Sequence, residues 1–204
     1  MGWVIAFLVV FSLSAFAYVS FKRMEPAKPP MERYAKAPEF QFTQQDGKVI
    51  STSDMKGKVW VANFIFTRCA GPCPVMTSNM ADLNEKLGPK LQDVNLVSIT
   101  VDPDYDKPDV LKTYGERVGA TPDRWKFLTG PTDQIKNTVV KGFLQPLSKD
   151  TEGMPMHSTR FVVVDKDGWI RGFQDGNDPE LVQKLLVDIG ELLRERPDSN
   201  TASR

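Results

Sequence analysis

From Pro38 onward the apolar positions fall into short blocks whose period switches between strand and helix. "EFQFTQQDGKVIS" alternates apolar and polar residues about Asp46-Gly47, which predicts a β-hairpin. "KVWVANFIF" is almost continuously apolar, the pattern of a strand covered on both faces. Met76, Met80, Leu83 and Leu87 then recur at helical spacing until Gly88-Pro89 stops the helix. "VNLVSITVD" reads as a strand, "DKPDVLKTYGERVG" as a helix, "WKFLTG" as a short strand, and "TDQIKNTVVKGF" as a helix from Thr132. A loop with Gly and Pro at 145–156 leads to two strands, "STRFVVVD" and "GWIRGFQD", joined at Asp167-Gly168. Asp178-Pro179 supplies an N-cap and first helical position for "ELVQKLLVDIGELLRER". Strands alternating with helices predict an α/β sheet with helices on both faces.

The first residues follow another pattern. No charged side chain occurs from Gly2 to Phe21, and a helix of ~20 residues rises about 30 Å, the thickness of a bilayer's hydrocarbon core. A signal peptide is the alternative, since Ala15-Phe16-Ala17 offers a small-x-small cleavage site. Signal h-regions are shorter, however, and no Lys or Arg precedes this run. We therefore expect a transmembrane anchor at 1–21 and a linker at 22–37 containing Pro26, Pro29 and Pro30. A domain at 38–195 and a polar tail at 196–204 follow. Lys22 and Arg23 favour keeping the domain in the cytoplasm, although long domains translocate largely regardless of flanking charge.

Charge narrows the partners. Twenty-six basic and 26 acidic side chains cancel, so no overall field recruits nucleic acid. The chemistry concentrates in "FIFTRCAGPCPVM", which holds the chain's two cysteines, Cys69 and Cys73, and in "MPMHSTRFVVVD", which holds its single histidine, His157. Two cysteines are too few for a disulfide scaffold. In an open α/β sheet, sites form beyond the carboxyl ends of strands, where this cysteine loop lies. With Pro74 opening the helix, Cys73 falls at or beside the N-cap, and the positive helix end is expected to favour thiolates at both sulfurs. Thiolates serve disulfide exchange and soft metals equally. These residues thus leave a structural disulfide, a redox pair and a metal site all open. Met76 and Met80 belong to the helix's apolar stripe, Met154 and Met156 read as loop apolars, and Asp102 as a turn residue.

Three blocks, "FIFTRCAGPCP", "SITVDPDYDKPDVLKTYG" and "HSTRFVVVDKDG", in this order resemble the Sco/SenC family over about residues 38–194. The resemblance implies a thioredoxin-like fold with an N-terminal β-hairpin, preceded by the transmembrane helix. It implies Cys69, Cys73 and His157 as ligands of copper, as Cu(I) and Cu(II). It further implies a chaperone role, delivering copper or reducing thiols during assembly of the copper A centre of cytochrome c oxidase. The partners would be the copper A subunit, a copper donor protein and the inner membrane, with the domain on the extracytoplasmic (periplasmic) side. Met156 stands where many members carry an aspartate, so a carboxylate that would orient the imidazole is missing there. The alternative is a membrane-tethered thiol:disulfide oxidoreductase cycling Cys69 and Cys73. Such reductases usually carry C-x-x-C and a cis-proline, and Ser158 occupies the proline's expected position.

Overall fold

In the computed structural model the described residues are Trp3, Phe11, 30–69, 71–89, 91–120 and 123–195. Trp3 and Phe11 are helical, but the rest of the expected anchor, most of the expected linker and the polar tail after 195 lie outside the described residues. Among the described residues no helix is long and apolar enough to cross a membrane.

The strands are β1 (Ala35–Lys36), β2 (Gln41–Gln44), β3 (Val49–Ser51), β4 (Val59–Ile65), β5 (Val94–Thr100), β6 (Trp125–Thr129), β7 (Leu147–Lys149), β8 (Pro155–His157), β9 (Phe161–Val164) and β10 (Trp169–Gln174). Among the described residues from 30 onward, the α-helices are α1 (Cys73–Leu87), α2 (Pro108–Arg117), α3 (Thr132–Asn137) and α4 (Leu181–Arg194). Eight strands form one sheet in the order β1-β10-β9-β4-β5-β6-β2-β3, and β7 pairs with β8 separately. β4, β5 and β6 run parallel, and every residue of β4 and β5 is buried. Their unbroken apolar character follows from being covered on both faces.

Strand register assigns the two faces. Asn63, Ser98 and Phe127 stand side by side, while Phe64, Ile99 and Leu128 form the next row on the opposite face. Tyr114 of α2 packs edge-on against Phe127, at 5.9 Å between centroids, and its hydroxyl shares a 2.8 Å hydrogen bond with Thr77 of α1. α1, α2 and α4 therefore cover the Phe127 face, with α4 packed on α1. On the other face Phe143 follows α3 and meets Trp60 at 5.8 Å and Phe64 at 5.4 Å. Burying each such ring stabilises the fold by about 1.5–3 kcal/mol.

Several elements differ from the sequence-based expectation. The helix expected from Thr132 widens to a π-turn at Thr138–Gly142, closed by the Phe143 N–H donating to the Thr138 carbonyl at 2.8 Å. This turn delivers Phe143 to the core. Gly142 is required there, because a Cβ would lie 2.3 Å from the Cβ of Pro38. The stretch expected as a loop at 145–156 contains β7 and the first two residues of β8, strands too short to show periodicity. Ala35–Lys36, within the stretch read as linker, pairs with β10. α4 begins two residues beyond the expected start, because Asp178 caps a preceding turn by accepting from the Glu180 N–H at 2.8 Å.

Candidate metal centre

β4 ends at Ile65, and the Cys69 N–H donates to the Phe66 carbonyl at 3.2 Å, turning the chain across the end of the sheet. A buried carboxylate holds this turn. Asp106 is fully buried and accepts from the Thr67 N–H, the Thr67 hydroxyl and the Thr100 hydroxyl. Beside it Arg68 pairs with Asp102 at 2.6 Å and lies over the Tyr105 ring at 4.1 Å. Asp102 is thus more than a turn residue. With Asp106 it makes the β5–α2 turn a clamp on the cysteine loop.

The chain re-enters helix at Cys73, which is the first residue of α1, with Pro72 at the N-cap and Pro74 second. Cys73 is 1% exposed, Cys69 is half-buried, and both are free thiols. β9 runs antiparallel to β4, so the segment before it returns His157 to the same end of the sheet. The Cys73 Sγ and His157 Nε2 stand 3.3 Å apart despite 84 positions of sequence separation.

The hydrogen bonds define the imidazole's state. Nδ1 of His157 lies 2.9 Å from the Ser158 carbonyl oxygen. A carbonyl only accepts, so Nδ1 carries the proton and the neutral ring turns its Nε2 lone pair toward the sulfur. Burial lowers the pKa of His157, which favours that neutral ring, and Phe66 contacts it edge-on at 5.8 Å. The orienting contact missing at Met156 is thus supplied by backbone. Met156 itself is exposed, whereas Met76 and Met80 are core residues.

The thiolate expectation needs correction at Cys73. Burial, first, and the adjacent Cys69 thiol, second, push the Cys73 thiol well above its ordinary range, outweighing the lowering effect of nearby backbone groups. The helix opens one residue before the expected Pro74, and desolvation overrides the effect of its positive end. Burial likewise raises the Tyr114 phenol, against the lowering hydrogen bond from Thr77.

Two sulfurs and an imidazole nitrogen form a donor set for a soft ion. Bonds of the length zinc makes to sulfur and imidazole nitrogen, about 2.3 and 2.0 Å, would set two donors about 3.5 Å apart. The Cys73–His157 separation fits such an ion once the thiol proton leaves. Among the described residues no three His, Cys, Asp or Glu side chains already surround one point. Cys69 is the more exposed of the two cysteines, and its thiol interacts with that of Cys73. Sequence reasoning missed Asp106, Tyr114 and Phe66. Asp106 alone carried a signal, as the last acid of "DPDYD".

A parallel-centred sheet with a two-cysteine loop leading into a helix, closed by a histidine from the hairpin that precedes the neighbouring antiparallel strand, defines a thioredoxin-like protein with a combined thiol–imidazole site. The SCO1/SenC family model matches residues 28–192, and the chain belongs to that family. It is 36% identical to the SCO1 protein homolog of Bacillus subtilis over 152 residues, which is 74% of this chain and 79% of that protein. The structure of BsSco, described as a Sco-family cytochrome c oxidase assembly protein with a disulfide switch, superposes with TM-score 0.71 at 33% identity. It covers 82% of this chain and 99% of the other. ScoI of Arabidopsis thaliana with copper bound shares the fold at TM-score 0.67 and 24% identity, covering 77% and 99%.

Proposed function

We propose that this protein binds copper through Cys69, Cys73 and His157 and serves assembly of the copper A centre of cytochrome c oxidase. The 3.3 Å approach of His157 Nε2 to Cys73 Sγ carries the reading. Its lone pair already faces the position that an ion replacing the thiol proton would take. Family membership and the copper-bound and oxidase-assembly relatives support the same choice. Cys69, whose thiol lies beside that of Cys73, completes the site. Transfer is then ligand exchange, in which sulfurs of an acceptor replace these sulfurs. The apolar segment 1–21 would tether the domain on the extracytoplasmic side, a placement that a reporter fused at residue 200 tests.

Titrating the reduced full-length chain with each oxidation state tests the ligands. His157→Ala is expected to abolish the Cu(II) thiolate charge-transfer band while Cu(I) binding survives weakened, because Cu(I) accepts sulfur-only coordination. Cys69→Ser or Cys73→Ser should remove both. An unchanged Cu(II) spectrum in the histidine variant would eliminate His157 as a ligand. The second reading, a thiol:disulfide oxidoreductase, draws on both cysteines being free, with Cys69 the more accessible. It predicts a reversible disulfide and no stoichiometric copper.

A further inference from the structure

The β7–β8 hairpin that carries His157 rests over a hollow of about 210 Å³. Its apolar wall is made by Val101 beyond β5, Ile135 of α3, Leu147 of β7 and Pro155 of β8, and its charged wall residues are Lys136 and Lys149. Both lysines are exposed, and neither pairs with a described carboxylate. Leu147 stands directly across from His157, and Lys149 across from Pro155. Cross-strand partners project from the same face, so the hollow's roof and the imidazole share one side of the hairpin. Among the described residues, no hydrogen bond ties 147–157 to the main sheet or its helices except the Cys73–His157 contact.

We propose that this hollow is a docking pocket for a segment of a partner protein presenting one aliphatic or aromatic side chain flanked by carboxylates. Occupying it lifts the hairpin and draws His157 away from Cys73. At about 30 Å³ per water the hollow holds several water molecules, and an apolar side chain gains by displacing water from apolar walls. The two lysines select acidic flanks and disfavour basic ones. Because hairpin and body are joined by side-chain contacts rather than a strand ladder, insertion displaces the hairpin without breaking main-chain pairing. The consequence for copper, release of its nitrogen ligand when the acceptor docks, rests on the function proposed above; the docking does not.

The test uses the reduced, metal-free, full-length chain with labelled Ile, Leu and Val methyls, titrated with acetyl-Glu-Leu-Glu-amide at millimolar concentrations. Saturable shifts of the Val101, Ile135 and Leu147 methyls are expected, with movement of the His157 ring signal and faster alkylation of Cys73. Acetyl-Lys-Leu-Lys-amide should bind about tenfold more weakly, and the K136E/K149E variant should reverse that preference. No saturable shift, or an equal response to both peptides, would overturn the pocket. Shifts that follow protein concentration without peptide would assign the hollow to a second copy and also overturn the proposal. Methyl shifts with an unmoved His157 ring would overturn the coupling. Failure to bind copper with these shifts intact would sink the copper reading and leave the pocket standing.

Discussion

A thiol as buried as Cys73 stays protonated where a free cysteine ionises. Its folded pKa is raised above the ordinary value of 9.0, so the unfolded chain loses its proton first. Folding stability from this group is complete below about pH 9 and falls as the pH rises beyond it. Alkylation of Cys73 should therefore keep accelerating above about pH 10, where a small free thiol has levelled off; a plateau near neutrality would contradict the burial argument. Asp106 offers a second test. Asp106→Ala strands two hydroxyls and a backbone N–H, a loss of about 2–4 kcal/mol, and frees the cysteine loop. The urea midpoint should fall and Cys69 should alkylate faster, with Asp106→Asn intermediate. The cysteines and histidine were legible because their residue types are rare in this chain and carry distinctive chemistry. Asp106 was not, standing among neighbouring acids whose burial only the fold decides. The sign of the Cys73 shift was hidden for the same reason: helix position is local and desolvation is not.

Periodicity located the buried strands and the long helices because their apolar positions repeat several times. β7 and β8 have three residues each, too few for a period, and their pairing depends on what lies beneath them. The π-turn at 138–142 was equally silent, because its cause is the distant pair Trp60 and Phe64 that Phe143 must reach. That dependence is testable through Gly142→Ala. The new Cβ would fall 2.3 Å from Pro38, forcing α3 and the N-terminal segment apart. A cost of about 2 kcal/mol, or a fall in melting temperature of about 4–8 °C, is expected by calorimetry. An unchanged melting temperature would show that this contact yields easily.

At the end of the sheet away from the cysteines, Arg171 gathers three separate parts of the chain. It is 3% exposed and pairs with Asp165 at 2.7 Å and Glu195 at 2.8 Å, while its Nε–H donates to the Glu32 carbonyl at 3.1 Å. Arg171→Ala leaves Asp165 buried without its cation and should cost about 3 kcal/mol. Amide exchange should quicken first at residues 34–37, and uniform quickening would argue against a local anchor. The same register has a geometric result. β1 pairs with Trp169 and Ile170 at the start of β10, whereas Phe66, Cys73 and His157 meet at the opposite end. The seven residues of β4 between these ends span about 20 Å. Whatever holds the chain from its amino-terminal side therefore grips the domain by the far pole. Were segment 1–21 to act as the proposed tether, the sulfurs would lie at the pole of the sheet away from the attachment. A partner fixed to the same surface would then meet them at an effective concentration set by the reach of that tether, so lengthening or shortening it would change how often the two collide.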